Sequence, residues 1–296
     1  MKYLKKFDTT DGYIGFRRSL NSGLYNHTAL LKNTNYSFPQ NSLRYFTKDA
    51  LFYIQALEDL EITYENITSA SSYDFSYDGV EWQKWNSSTI KISLKAYEKV
   101  YLRPNTSTQQ NRTHVVIPKL HRIGGSLVNF CVGQYEYEKN AYQMFMDDTG
   151  LVSAADLIII GQGNNGFLYE TFKGCINLAT EPYLIYLNWS NSTGDGTGGP
   201  LVGTFEGCTS LTSSPTIYVS FPHDRTKNYS RLFSGCTKLK KIKYMSLQPL
   251  GGELFTDWVK DLPASGTFIM NAAATWEAPF GADAVPEGWT IEYAES

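Results

Sequence analysis

Four cysteines (Cys131, Cys175, Cys208, Cys236) and four histidines (His27, His114, His121, His223) are the side chains best suited to metal ligation or nucleophilic catalysis. Their spacing supports neither. No CxxC, HExxH or Cys/His ligand run occurs, and zinc sites need donors clustered in that way. Asp147-Asp148 and Asp195 offer carboxylates for Ca²⁺, but no EF-hand loop or alternating Asp ladder surrounds them, and we read them as solvated loop acids. Gly161-Gln-Gly-Asn-Asn-Gly166 is a formal GxGxxG after the strand-like Leu157–Ile160, a pattern that can cradle a dinucleotide pyrophosphate. The segment that follows it, through Phe172-Lys-Gly-Cys, recurs twice without a Gly-rich loop before it. The next strand-like run, Tyr183–Leu187, ends on Asn188 rather than on an acid that would hold a ribose. A turn accounts for the motif better than a nucleotide site. Gly194-Asp-Gly-Thr-Gly-Gly-Pro200 has the glycines of a protease nucleophile loop but no Ser, and reads as an irregular Gly-rich insert. No Ser/His/Asp set or carboxylate pair can be assembled, so the expectation is a binding or structural protein, not an enzyme, with no cofactor and no metal.

Composition agrees with that expectation. Of 296 residues, 26 are Lys or Arg and 29 are Asp or Glu, a net charge of −3, and charged residues make up 19%. Ordinary soluble domains carry about 25%. In their place stand 21 Tyr, 16 Phe and 6 Trp, with many Asn, Ser, Thr and Gly. Such a surface suits contact with proteins or sugars. The near-neutral balance argues against nucleic acid, which needs a clustered positive surface. No run approaches the 18 or more apolar residues of a membrane span, so no membrane partner is expected. Met1-Lys-Tyr-Leu-Lys-Lys-Phe-Asp-Thr-Thr has positive charge but no apolar h-region, and an unexported chain is expected. One basic run (Lys227, Arg231, Lys238, Lys240, Lys241, Lys243) contains no acid. It reads as a solvated face, with contact to an acidic partner, such as a neighbouring subunit's acidic tail, as the alternative.

The elements that would position any contact surface come from a repeat. Three segments align without gaps: Thr171-Phe-Lys-Gly-Cys-Ile-Asn-Leu, Thr204-Phe-Glu-Gly-Cys-Thr-Ser-Leu and Leu232-Phe-Ser-Gly-Cys-Thr-Lys-Leu. A degenerate copy precedes them around Phe145, with Asp147-Asp148 in the Gly-Cys places. Another follows around Phe255, with Trp258 in the Cys place. Degenerate terminal copies suit a stacked array whose end units face water. Each copy runs on into an apolar stretch: Leu157–Ile160, Leu184–Leu187, Ile217–Val219 and Ile242–Leu247. Alternation reads as a strand with one face buried. A short helix ended by the Gly is expected just before each anchor. The fold class expected is thus an α/β repeat solenoid, leucine-rich-repeat-like, with a parallel strand ladder. Stacking would place Cys175, Cys208 and Cys236 above one another as buried thiols, since three equivalent cysteines cannot all pair.

The array, with a leading cap, is expected over residues 105–262, closed by a C-terminal cap over 263–296. That last segment holds five acidic residues and no Lys or Arg. Within the leading cap, His114–Ile117 and Ser126–Cys131 read as strands. Residues 51–104, with short aromatic and β-branched runs and the hairpin signal Asp78-Gly79, read as a small β-sandwich-like module with Trp82 and Trp85 partly in its core. Residues 1–50 are polar and without periodicity, an arm expected to order on a partner. Taking positions twelve and fourteen after each Phe as buried leaves Ile158, Tyr183, Ile185, Thr216, Tyr218 and Tyr244 on the open face. With Trp189 of the insert, these are the candidate binding residues.

The Phe-x-Gly-Cys-Thr-x-Leu core, followed by Thr212-Ser-Ser-Pro215 and an apolar strand, resembles the BspA-type leucine-rich repeats abundant in Bacteroidales and their phages. Trp258-Val-Lys-Asp-Leu-Pro-Ala-Ser-Gly-Thr-Phe-Ile and Val285-Pro-Glu-Gly-Trp-Thr-Ile resemble that group's closing segment. Phe75-Ser-Tyr-Asp-Gly-Val-Glu-Trp-Gln-Lys-Trp and Lys99-Val-Tyr-Leu-Arg resemble the β module that precedes the repeats. The first ten residues are similar to the start of unexported phage proteins. The resemblance covers most of residues 51–296, weakens over 11–50, and meets a longer insert at 188–202. It implies a virion structural protein, as in crAss-like phages, displayed as a head or tail fibre or decoration after assembly in the host cytoplasm. Residues 1–50 would attach it to the particle. The implied partners are other virion proteins (capsid, portal or tail), further copies of the chain, and a host surface protein or glycan. A bacterial cell-surface leucine-rich-repeat adhesin is the alternative.

Overall fold

The computed structural model describes residues 51–106, 113–131, 140–162, 166–188, 199–220, 229–247, 249–281 and 283–294. The strands are Phe52–Ala56 (β1), Leu60–Ile62 (β2), Tyr73–Ser76 (β3), Gln83–Lys84 (β4), Ile92–Leu94 (β5), Lys99–Pro104 (β6), His121–Ser126 (β7), Leu151–Gln162 (β8), Leu184–Asn188 (β9), Ser213–Ser220 (β10), Lys241–Tyr244 (β11), Thr267–Asn271 (β12) and Thr290–Ala294 (β13). A single α-helical turn, Leu127–Phe130 (α1), lies among the described residues. The chain is therefore mostly β.

Eleven strands form one sheet in the order β13-β12-β11-β10-β9-β8-β7-β1-β6-β3-β4, while β2 and β5 pair separately. From β7 to β13 every pair is parallel. From β7 to β4 every pair is antiparallel. Strands of the 51–104 segment thus stand in the same sheet as the ladder, and one apolar core runs under both, from Trp85 to Trp289. Of the two strands expected in the leading cap, His114–Ile117 supplies only a bridge from Val115 to Ile67, and Ser126–Cys131 folds into the end of β7 and α1.

The segments expected as short helices are something else. A left-handed residue recurs every fourth position: Gln143 and Asp147, Glu170 and Gly174, Gly203 and Gly207, Arg231 and Gly235, Asp257 and Asp261. A right-handed helix cannot absorb that pattern, since each left-handed residue costs about 1–2 kcal/mol outside glycine and redirects the chain. The result is a run of turns whose alternate N–H groups point at the next repeat. Phe145, Phe172, Phe205 and Phe233 donate to the carbonyls of Thr171, Thr204, Leu232 and Trp258 at 2.8, 2.8, 2.9 and 2.8 Å. A ladder of turns therefore lies across the core from the ladder of strands, an arrangement compatible with a strand-ladder solenoid.

Between the two ladders the Phe rings stack: Phe145 on Phe172 at 5.4 Å, Phe172 on Phe205 at 5.3 Å and Phe205 on Phe233 at 5.6 Å, with interplanar angles of 13° or less. All four cysteines are buried, and none of them forms a disulfide. The three equivalent thiols also have a polar role, because Cys175, Cys208 and Cys236 donate Sγ–H to the carbonyls of Phe145, Phe172 and Phe205 at 2.9–3.0 Å. Burial pushes all three thiols up, so they stay protonated and able to donate.

The last copy aligns differently from its expected place. Phe255 stacks on Tyr229 at 4.4 Å, and Phe233 bonds to the residue before Val259, so Val259 fills the Phe position and Leu262 the Cys position. This four-residue slip matches the four-residue recurrence of the turns, which is why the inward pattern alone could not exclude it.

Candidate functional site

The outward face of the sheet is set by strand register. Ile159, Ile185, Ile217 and Tyr244 pair across β8 to β11 and all point into the core. They lie 14, 13, 12 and 11 residues after Phe145, Phe172, Phe205 and Phe233. The connection from turn to strand shortens by one residue per repeat, and side chains alternate with period two. A constant offset therefore gives the right face for β8 and β10 and the wrong face for β9 and β11.

Two candidate residues are corrected by this. Ile185 and Tyr244 are both 0% exposed and belong to the core. Ile158 and Thr216 stand on the outward row Ile158–Leu184–Thr216–Lys243, and Tyr218 on the row Ile160–Tyr186–Tyr218. Tyr183 precedes β9 and joins the same cluster. Trp189 lies outside the described residues.

Ile160 and Leu184 are 7% and 3% exposed although they face away from the main core. They form the floor of a second, smaller apolar cluster, walled by Ile158, Tyr183, Tyr186 and Tyr218, all partly buried. The rings of Tyr186 and Tyr218 are tilted, with centroids 6.3 Å apart. Ile160, Leu184 and Tyr186 escaped the sequence reading. The one signal that could have found them is the shortening connection, visible only once strand partners are known.

Polar groups frame the cluster on both sides. On the β8 side Tyr53 donates its hydroxyl to Asp156 Oδ2 at 2.7 Å, and the Lys99 ammonium lies 3.8 Å from the Tyr53 ring centre. Gly124 lets Tyr53 cross the sheet there, for any Cβ would collide with its ring. On the β11 side Lys243 and Glu181 pair at 3.2 Å. Arg231, from the same basic run, lies on the turn ladder and bridges Glu170 and Glu206, while Lys238, Lys240 and Lys241 are exposed and Lys227 lies outside the described residues.

Burial pushes the hydroxyls of Tyr183 and Tyr218 up to about 12, and that of Tyr186 upward. All three remain neutral phenols at physiological pH. The Tyr218 oxygen is buried and has no hydrogen-bond partner among the described residues. An apolar floor with neutral phenolic walls can stack on rings or aliphatic faces and exchange hydrogen bonds. Among the described residues no group of three His, Cys, Asp or Glu could hold a metal ion, and no helix is long and apolar enough to cross a membrane. No family model matches the chain, nor does any curated protein or solved structure.

Proposed function

We propose that this chain is a structural protein of a bacteriophage particle, displayed on its surface as a fibre or decoration, with a leucine-rich-repeat-like array as the contact module. The observation that carries the binding role is the tyrosine-walled cluster on the outward face, built on a stiff double ladder and not absorbed into the main core. Stacked repeats present extended binding surfaces, and partly buried tyrosines give such a surface an apolar body with a hydrogen-bonding tip. The phage assignment is supported by the Phe-x-Gly-Cys-Thr-x-Leu repeats and closing segment, which resemble BspA-type repeats of Bacteroidales and their phages, and by the resemblance of the opening residues to unexported phage and prophage proteins. In this reading residues 1–50 attach the chain to capsid, portal or tail proteins, and the outward cluster meets a host protein or glycan. Mass spectrometry of purified particles tests the assignment. Detection of the chain at stoichiometric abundance is expected. Its absence from particles, with recovery in a bacterial envelope fraction, would replace the virion reading by the adhesin one.

A further inference from the structure

The two edges of the eleven-stranded sheet differ. One is β4, a strand of two residues, too short to guide a partner. The other is β13, which pairs with β12 through five consecutive residues without a register shift. It contains neither Pro nor Lys, the residues that commonly block an edge. Among the described residues no strand pairs with its far side.

That far side has a defined pattern. The Thr290 N–H donates to the Gly266 carbonyl, and the Ala294 carbonyl accepts from the Ala272 N–H. Successive residues of a strand direct their backbone groups to opposite sides, so those of Ile291 and Tyr293 point away from β12. Their side chains continue the inward rows Ile242–Phe268–Ile291 and Tyr244–Met270–Tyr293. Phe268 and Met270 are fully buried, yet Tyr293 is 66% exposed, so the core row lies open at its last rung. Between Ile291 and Tyr293, Glu292 points outward and is exposed. A strand that extends this sheet is matched best by an apolar residue, a cation and an apolar residue in succession.

Charge names the source of such a strand. Residues 263–296 hold five acids and no base, whereas residues 1–50 hold eight Lys or Arg against three Asp. Within that basic segment, Leu43-Arg44-Tyr45-Phe46-Thr47 has the required order and is rich in residues that favour strands. The match is centred on Arg44 against Glu292, so it holds for either strand direction. A second β13 in the same register would set Glu292 beside Glu292, which is repulsive. The chain's own segment is too close to β1 to serve. From β1 a strand beyond β13 lies eight strand spacings away, about 38 Å. The seven residues from Tyr45 to Phe52, where β1 begins, span at most about 25 Å.

We propose that β13 is the docking edge for Leu43–Thr47 of a second copy, which adds to it as the next strand and joins copies head to tail. Donor and acceptor are different surfaces, so every copy offers both and the contact propagates from copy to copy. Residues 1–42 stay available for attachment, and the proposal stands apart from the virion reading.

Cysteine pairing in the full chain tests this. The native thiols are buried, so Arg44→Cys and Glu292→Cys supply the reactive groups. Facing residues of adjacent strands fall within disulfide reach. Oxidising a mixture of the two single variants should give a linked dimer, and neither variant alone should do so. No dimer from the mixture would overturn the proposal, as would a Glu292→Cys dimer formed alone or an internal disulfide in the double variant. Charge reversal gives a second measurement, by sedimentation over a range of concentrations. Arg44→Glu or Glu292→Arg should each weaken self-association about fivefold by turning an opposite-charge pair into a like-charge one, and the two together should restore it. A wild type that stays monomeric at every soluble concentration, or a double variant as weak as the singles, would refute the proposal.

Discussion

The Tyr218 hydroxyl gives the sharpest test of the outward cluster. Its oxygen is buried and has no partner among the described residues, while its ring contributes to the wall around Ile160 and Leu184. Tyr218→Phe keeps the ring and its 6.3 Å approach to Tyr186, and deletes only the orphan oxygen. A desolvated hydroxyl without a partner costs about 1–3 kcal/mol. Because the residue as a whole is only partly buried, the lower end applies, and Tyr218→Phe should stabilise the free protein by about 1 kcal/mol. For a chain of this size that is a rise of about 2 °C in thermal midpoint, with a matching shift in urea midpoint at unchanged slope. Tyr186→Phe removes no buried orphan hydroxyl and should stay within about 0.5 kcal/mol. If Tyr218→Phe proves neutral or destabilising, the hydroxyl already has a partner, and the cluster is not a surface holding an unmet hydrogen bond for a ligand. A variant that is more stable yet adsorbs host cells less well would link the same oxygen to binding.

Three further expectations concern the scaffold. Phe205 is 0% exposed and sandwiched between Phe172 and Phe233, so Phe205→Ala should cost about 3–5 kcal/mol in urea unfolding, and a loss below about 1.5 would mean that the stack collapses to fill the gap. Ile185→Asp should unfold the array or cost more than about 3 kcal/mol, whereas Thr216→Asp, one strand over and outward, should change stability by less than about 1 kcal/mol; circular dichroism melts of both separate the structural register from the constant-offset one. Burial holds Tyr183, Tyr218 and Tyr244 near 12, against about 10 in the unfolded chain. The folded state therefore binds more protons between those values, its stability is intact below pH 10 and falls as pH rises towards 12, and tyrosinate absorbance at 295 nm should appear for these residues together with unfolding.

Much of the architecture was legible because its signals are local or periodic. The Phe-x-Gly-Cys copies announced a stacked array, and the Gly positions announced positive φ, found at Gly174, Gly207 and Gly235. Burial of Phe145, Phe172, Phe205 and Phe233 follows from repetition alone, since a unit of about thirty residues must hide its apolar face against its neighbours. The turn ladder was not legible. Its left-handed residues include Gln143, Glu170 and Arg231, whose types do not announce that conformation, and half of its N–H groups bond to the next repeat while the alternate ones bond three residues back in their own segment.

The candidate site was legible only in half. Ile158, Thr216 and Tyr218 face outward because β8 and β10 keep the expected phase, and Ile185 and Tyr244 turn inward because their connections are one residue out of phase. Parity in a strand is a property of the pairing: a single residue gained or lost in a loop exchanges the two faces. The composition and repeats of this chain determined that it would stack and that tyrosines would remain to make contacts. Which tyrosines, and that Ile160 and Leu184 would form a floor beneath them, was decided only where neighbouring strands set one another's register.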